Sequence, residues 1–220
     1  MLQVHPESVA RARAALLESR PTAPLITDYS QGRVELSNAT FDNWVSKTVN
    51  LLRLEVGVDP GAAIRVDLPL HWMSAVWLVA VWEAGADISL EGRAEFTVGT
   101  GPASDILVVL DAFGMAAPPP GASADATFPA DARVMPDQLV LPAPESGGIH
   151  GGPDAGGLVR AALDYADRVG LEAGGRLLSS LSPSDLVGVL ATIASPVCAN
   201  AAVVYATDGG SEGITAIANR

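Results

Sequence analysis

Residues 144–157 form the stretch of this sequence whose composition is nearest to that of a ligand-binding loop. They read PESGGIHGGPDAGG, contain six glycines and precede a predicted helix. A glycine-rich loop ahead of a helix can present backbone N–H groups to a phosphate, with hydroxyls and a cation to assist. The candidate nucleotide-binding residues are therefore Ser146, Gly147, Gly148, Gly151 and Gly152.

The charges in this stretch oppose phosphate binding. Glu145 and Asp154 would repel an anion, and no lysine or arginine lies within the stretch. The single lysine of the chain is Lys47, on a predicted helix, where a solvated position is expected. A flexible connection is therefore the main interpretation of residues 144–157. We predict no bound cofactor, and ATP or AMP binding is the alternative.

The other reactive residue types form no catalytic or metal-binding pattern. The three histidines, His5, His71 and His150, lie more than sixty residues apart, outside any metal-ligand motif. His71 begins a predicted helix and is expected to be a cap or surface residue. Cys198 is the single cysteine, and its apolar neighbours predict a buried structural thiol. We predict no catalytic residue and no metal site.

The composition excludes several classes of partner. A formal net charge of -12 argues against binding to nucleic acid or to anionic membranes. A hydrophobic fraction of 49% is typical of a well-buried globular protein. The first twenty residues are too charged for a signal peptide, and no apolar run is long enough to span a bilayer. A cytoplasmic location is the simplest expectation.

Strand and helix patterns alternate along the chain. Helices are predicted at about residues 6–20, 38–56, 71–84, 158–169 and 183–194. Strands are predicted at about 25–29, 33–36, 63–68, 86–90, 106–110, 176–181, 201–206 and 213–218, with a short one near 97. This alternation indicates an α/β fold with a mostly parallel sheet flanked by helices. Residues 116–157 are rich in proline and glycine and are predicted to be a long connection, with at most a short strand at 138–141.

The predicted helix at 71–84 is apolar on nearly every side. Trp72, Trp77 and Trp82 are spaced by five and spread around it. Such a helix is either buried between layers or exposed at a subunit interface. Burial in the core is the main interpretation. In the alternative, Trp72 and Trp77 would contact a second copy of the chain.

This order of elements resembles the amino-terminal part of the adenylate-forming (AMP-binding, acyl-CoA-synthetase-like) superfamily. The resemblance covers most of the chain and is closest to short actinobacterial members. It rests on the helix before Gly57, the turn at 57–61, the helix ending Glu83-Ala84-Gly85-Ala86 and the strand–helix–strand at 174–204. The resemblance implies a domain over residues 1–220 with two α/β portions, joined by the connection at 116–157.

Departures from the family pattern bear on activity. The phosphate loop of the family ends in Pro-Lys-Gly, whereas Pro153 is followed here by Asp154. The Gly-Asp before a family strand is replaced by Gly61-Ala62. The family's later aromatic-x-Thr-Glu motif, its ribose-binding Asp and its carboxyl-terminal domain with the catalytic Lys have no counterpart here. The resemblance thus leads us to expect a truncated relative that is not an enzyme.

Two functions follow as expectations. The first is a non-catalytic relative that acts as a binding or protein-interaction module, through a homodimer or another protein partner. The second is a reduced enzyme or a residual nucleotide or acyl-adenylate binder that uses the loop at 146–157. Its pocket would lie between that loop and the end of the strand near 179–182, where parallel sheets place ligands.

Overall fold

The computed structural model describes residues 6–206, in which nine strands form two sheets with helices packed around them. The predicted strand at 213–218 lies outside the described residues. The first sheet has the strand order β2-β1-β9-β8, and the second has the order β4-β3-β5-β6-β7. Only β1 and β2 pair antiparallel among these strands, which confirms the predicted α/β fold with mostly parallel sheets.

The strands of the first sheet are β1 (Pro24–Asp28), β2 (Val34–Ser37), β8 (Arg176–Ser179) and β9 (Ala202–Tyr205). Those of the second sheet are β3 (Ala63–Asp67), β4 (Asp87–Ile88), β5 (Phe96–Gly99), β6 (Ile106–Val108) and β7 (Ala126–Phe128). Most of the predicted strands within residues 6–206 are present. One is wrong: no strand forms at 138–141, and the strand of the long connection is β7.

The helices agree with the predicted ones except at their ends. They are α1 (Val9–Ser19), α2 (Asn38–Asn50) with a π-helical continuation (Leu51–Val56), α3 (Trp72–Glu83) and α4 (Ala155–Arg168). A last helix comprises α5 (Leu186–Val189), a π-helical turn (Leu190–Ala194) and α6 (Ser195–Cys198). A short 3-10 turn covers Ala132–Val134. None of the described helices is long and apolar enough to cross a membrane.

The last helix extends four residues beyond the predicted end at 194, through Pro196. Proline has no N–H to donate to the carbonyl of Thr192, four residues earlier. The hydroxyl of Tyr205 on β9 donates to that carbonyl instead, at 2.7 Å. This replacement bond explains why a proline is tolerated inside a buried helix.

Helix α3 lies at the centre of the molecule. Every one of its twelve residues is buried, and it packs against α1, α2 and strands of both sheets. Trp72 and Trp77 are 2% and 0% exposed. Aromatic contacts join α3 to α2 and β7, with ring centroids 5.4 Å apart for Trp44–Trp72 and 5.3 Å for Trp77–Phe128. The core interpretation of this helix is therefore correct, and these two tryptophans are not surface residues available to a second copy.

A buried ion pair ties α1 to the carboxyl end of α3. Arg13 donates from Nε to Glu83 Oε1 at 2.6 Å and from Nη2 to Glu83 Oε2 at 2.9 Å. Its third nitrogen, Nη1, contacts Asp42 of α2. The two charges of the pair are nearly inaccessible, with side chains 9% and 4% exposed. A bidentate pair of this kind satisfies both partners, and losing one partner leaves an uncompensated buried charge.

We expect Arg13→Met to lower the free energy of unfolding by about 3–5 kcal/mol, because Glu83 is left charged and buried. The double variant Arg13→Met/Glu83→Leu removes both charges and should recover most of that loss. Urea denaturation of the two variants and of wild type measures both effects. A single variant as stable as wild type would contradict the assigned role of the pair.

Candidate functional site

The glycine-rich stretch runs alongside β4 at the edge of the second sheet. Ile88 donates its N–H to the carbonyl of Gly148 at 2.9 Å, and the N–H of His150 donates to the carbonyl of Ile88 at 2.9 Å. Ile88 and Ile149 thereby form a parallel bridge. The stretch is an ordered edge of the sheet, which corrects the expectation of a flexible connection.

The backbone N–H groups of this stretch are largely used inside the protein. Gly147 donates to the carbonyl of Trp82 at 2.9 Å, and Gly148 donates to Asp87 Oδ1 at 2.8 Å. Gly152 donates to the carbonyl of Ile149 at 2.9 Å. These three candidate residues therefore have no free N–H to offer a phosphate in this conformation. Ser146 lines a cleft described below, and Gly151 forms the turn at positive φ.

Close packing accounts for two of the glycines. A Cβ on Gly147 would lie 1.8 Å from the carbonyl oxygen of Ala86, and one on Gly148 would lie 2.4 Å from that of Pro153. The carbonyl of Gly148 also accepts a hydrogen bond from the indole Nε1 of Trp82 at 3.0 Å. Gly147 lets the chain lie directly against the backbone of Ala86 between α3 and β4, and Gly148 lets the stretch fold closely onto Pro153.

A cleft of about 710 Å³ lies beside this stretch. It lies between α1, the end of α3, residues 139–146 and the start of α4, and it holds both Arg13 and Glu83. Asp154 caps α4 by accepting a hydrogen bond from the N–H of Gly157 at 2.7 Å. A carboxylate therefore occupies the helix end where an anion would otherwise be favoured. We call this cavity the α1 cleft.

The α1 cleft lies at the amino end of β4, because Glu83 lies four residues before Asp87, the first residue of that strand. Open parallel sheets usually bind ligands at the carboxyl ends of their strands. Within residues 6–206, the lining of the cleft includes none of the residues 179–182. The α1 cleft is therefore not the pocket predicted between residues 146–157 and the end of β8.

A buried polar cluster lies instead at the carboxyl end of β1. Asp28 accepts from the N–H of Trp72 at 2.8 Å through Oδ2 and from the N–H of Ser30 at 2.7 Å through Oδ1. His71 caps α3 by accepting from the N–H of Met73 at Nδ1, at 3.2 Å. Its cap role is confirmed, but it is buried, not a surface residue. The two side chains hold the start of α3 against the first sheet.

The protonation state of His71 follows from this geometry. Since Nδ1 accepts a hydrogen bond, the neutral ring carries its proton on Nε2, which lies 4.0 Å from Asp28 Oδ2. Burial lowers the pKa of His71, and the opposing charges of Asp28 and Asp111 only partly offset that shift. The ring is neutral at pH 7, and protonation would convert the capping acceptor into a donor facing the N–H of Met73.

Desolvation also shifts the pKa values of the Cys198 and Tyr205 side chains. Cys198 is half-buried, not fully buried as predicted. Desolvation raises the pKa of its thiol to about 12, so a nucleophilic thiolate does not form near neutral pH. Burial and the charge of Asp28 raise the pKa of Tyr205. Residues 6–206 contain no group of three or more His, Cys, Asp or Glu side chains placed to hold a metal ion.

Sequence reasoning missed two sets of side chains that the fold brings together. One is the Arg13–Glu83 pair. The sequence feature that could have indicated this pair is the charge of Glu83 inside an apolar helix. The other surrounds Lys47, predicted to be solvated. Its Nζ donates to the carbonyl of Met135 at 2.6 Å and pairs with Asp137 at 2.6 Å. Because these partners lie 88 and 90 residues away, no local pattern could have found them.

The packing of the glycines makes one prediction. We expect Gly147→Ala to destabilise the protein by about 1–3 kcal/mol or more, because its methyl group overlaps the backbone of Ala86. Gly101→Ala is the matched control, since a Cβ there meets nothing within 4 Å. Thermal and urea denaturation compare the two. Equal stability of both variants would show that residue 147 does not approach β4 closely.

His71 makes a second prediction, on pH. The unfolded state takes up a proton near the ordinary pKa of about 6.5, whereas the folded state resists protonation. The free energy of unfolding should therefore fall as the pH is lowered through 6.5, and His71→Asn, which keeps a capping acceptor, should lack this component. Urea denaturation from pH 8 to pH 5 gives both curves. Parallel curves would contradict the assignment.

Comparison with solved structures identifies the fold. The chain superposes on the N-terminal domain of FACL13 from Mycobacterium tuberculosis with a TM-score of 0.71 and 15% identity, covering 96% of this chain and 60% of that one. It matches the anthranilate CoA ligase AuaEII with a TM-score of 0.70 and 13% identity, covering 94% and 46%. It matches a Mycobacterium tuberculosis fatty acyl CoA synthetase with a TM-score of 0.68 and 15% identity, covering 96% and 47%.

These likenesses show that the chain has the fold of the N-terminal domain of adenylate-forming enzymes, over about half to three-fifths of the lengths of the solved chains. No protein-family profile matches the sequence. A TIGR03089 family protein from Mycobacterium tuberculosis is 32% identical over 202 residues, covering 82% of this chain and 83% of that protein. The two chains are thus similar in length, and this chain belongs to the TIGR03089 family.

Proposed function

We propose that this chain is a non-catalytic relative of the adenylate-forming enzymes that acts as a protein-interaction module by pairing with a second copy of itself. The observation that carries the non-catalytic part is the use of the N–H groups of Gly147, Gly148 and Gly152 within the protein. A phosphate loop needs those groups free and pointed at the ligand. Here they hold the loop against β4 and α3.

The contacts of two cations support the same conclusion. Arg13, which borders the α1 cleft, is fully engaged by Glu83 and Asp42. Lys47, the single lysine, is bound to the carbonyl of Met135 and to Asp137. Phosphoryl and adenylyl groups are usually held by such cations, and neither Arg13 nor Lys47 is free for that role.

An exposed apolar patch supports the interaction role. Phe113, Met115 and Val134 are 74%, 68% and 79% exposed, the largest values among the exposed large apolar side chains. Arg133 donates to the carbonyl of Gly114 at 3.1 Å and so joins the two segments that carry them. We call these three residues the Phe113 patch. Clustered apolar side chains at a surface are typical of a binding site.

The loop that carries Phe113 and Met115 is held in one shape. Asp111 accepts hydrogen bonds from the N–H groups of Phe113 at 3.3 Å and of Ala116 at 2.9 Å, and also from that of Met115. Desolvation acts to raise the pKa of Asp111, but these N–H groups lower it overall. The carboxylate therefore stays charged and keeps the loop closed over a wide pH range. A preformed loop loses less entropy on binding than a mobile one.

A second copy is the expected occupant, because a two-fold interface brings the same patch from both copies together. A net charge of -12 on each copy opposes this contact at low salt. Screening by salt reduces that repulsion but leaves the burial of apolar area unaffected. Self-association should therefore strengthen as salt is added, contrary to the behaviour of an interface held by ion pairs.

The alternative function is a residual nucleotide or acyl-adenylate binder that uses the loop at 146–157. It is favoured by the α1 cleft of about 710 Å³, which Ser146 lines. Clefts of this volume are typical of small-molecule sites. It is also favoured by the likeness to AuaEII, whose structure contains anthranoyl-AMP. The charges of Glu145 and Asp154 in the lining weigh against an anionic ligand.

The test measures molar mass by light scattering at protein concentrations up to about 100 µM in low and high salt. We expect a species of twice the 22.5 kDa chain mass whose dissociation constant rises at least about tenfold in Phe113→Ser/Met115→Ser. Leu181→Ser, an exposed apolar residue outside the patch, should leave it unchanged. A monomer under all conditions would overturn the dimer.

Calorimetry with ATP, AMP and a non-hydrolysable acyl-adenylate mimic addresses the alternative in the same buffers. We expect no heat up to millimolar ligand. Micromolar binding that tightens in Asp154→Lys, where a cation replaces a carboxylate that repels phosphate, would favour the residual binder.

A further inference from the structure

Residues 136–146, which we call the strap, cross the surface between the 3-10 turn and the glycine-rich stretch. Within the described chain, the strap contains no helix or strand and makes no hydrogen bond between backbone groups. Most of its side chains are exposed, and Leu139 packs partly against the core. Neither sheet pairing nor extensive burial therefore holds the strap in place.

Three side chains of α2 and its π-helical continuation supply the hydrogen bonds that hold the strap. Lys47, Asn50 and Arg53 are spaced by three residues along one side of this helix. Residues at this spacing lie one above another on a helix. Together they bind the main chain of residues 133–142, and we call them the α2 latch.

Asn50 lies at the middle of the α2 latch and uses both ends of its amide. Its Nδ2 donates to the carbonyls of Pro136 at 3.1 Å and Gln138 at 2.8 Å. Its Oδ1 accepts from the N–H of Val140 at 3.1 Å. These hydrogen bonds go to main-chain atoms of the strap and not to its side chains, so they depend on the backbone conformation of the strap.

Lys47 and Arg53 bind the two ends of the same path. Lys47 Nζ donates to the carbonyls of Met135 at 2.6 Å and Arg133 at 3.3 Å, and it pairs with Asp137 at 2.6 Å. Arg53 Nη1 donates to the carbonyls of Pro142 at 2.8 Å and Leu141 at 3.4 Å. Hydrogen bonds from charged groups are stronger than neutral ones, so these ends are held well.

The strap forms one wall of the α1 cleft. Leu139, Ala143, Pro144, Glu145 and Ser146 line it opposite α1 and the start of α4. The segments that flank the strap are anchored independently: Gly147 is bonded to Trp82, and the N–H of Arg133 donates to the carbonyl of Pro129 at 3.0 Å. The strap can therefore move as a tethered segment while both of its ends stay in place.

We propose that the α2 latch holds the strap closed and that its release opens the α1 cleft without unfolding the protein. Release breaks side-chain contacts to one extended segment and leaves both sheets and α3 intact. Closing the strap again needs only the same main-chain carbonyls to return to the latch. The position of this wall, and so the access of any ligand to the cleft, is set by residues of α2 that lie outside the cleft.

The experiment measures amide hydrogen exchange in the full chain carrying Lys47→Met/Arg53→Met. The reporter is the N–H of Val140, whose acceptor, Asn50, is untouched in this variant. If the latch acts as a unit, exchange at Val140 should rise at least about tenfold, whereas amides of α3 should exchange as in wild type. Arg168→Met, on the exposed side of α4, is the matched control and should change nothing.

A second readout follows the cleft itself. In a Cys198→Ala background, Ser146→Cys places a thiol in the strap wall, and its labelling rate reports access. We expect faster labelling when Lys47→Met/Arg53→Met is added. Unchanged exchange at Val140 would overturn the proposal, as would equal loss of protection in α3 or unchanged labelling of the thiol. These outcomes do not depend on whether the chain dimerises or binds a nucleotide.

Discussion

The complete burial of α3 is the constraint on which the rest of the structure depends. A helix that is apolar on every side must be enclosed, and here α1, α2 and strands of both sheets enclose it. Its two ends still carry polar groups, which need partners away from water. Asp28 and His71 serve the amino end, and Arg13 pairs with Glu83 at the carboxyl end. Both sheets are thus held to one helix.

The same burial explains why the N–H groups of the glycine-rich stretch are used within the protein. The carboxyl end of α3 and the start of β4 need a covering segment. Gly147 packs against the backbone of Ala86, and the carbonyl of Gly148 accepts a hydrogen bond from Trp82. In doing so they donate their N–H groups to Trp82 and Asp87. A loop cannot both cover a helix with these groups and present them to a phosphate. The structural use of the stretch therefore competes directly with nucleotide binding.

Helix α2 has two faces with different tasks. Its apolar face packs against α3 and β7, where Trp44 contacts Trp72 of α3 and Phe128 of β7. Its polar side carries Lys47, Asn50 and Arg53, which bind the strap. Since the strap borders the α1 cleft, one helix links the core to a movable surface segment. The polar side chains of this mostly buried helix are therefore explained by their hydrogen bonds to main-chain atoms nearly ninety residues away in the sequence.

The sequence by itself determined the order of helices and strands, the parallel sheets and the burial of α3, because these follow from local hydrophobic periodicity. Through the resemblance to adenylate-forming enzymes, it also led to the expectation that Asp154 stands where the family has the lysine of its phosphate loop. It failed at residues 138–141, whose strand-like pattern is overridden by Asn50 and by prolines that donate no hydrogen bond. Only the tertiary structure decided the partners of Arg13 and Lys47 and the use of the glycine N–H groups. Hydrogen bonds between residues far apart in sequence depend on how helices and strands pack, and local sequence patterns do not determine that packing.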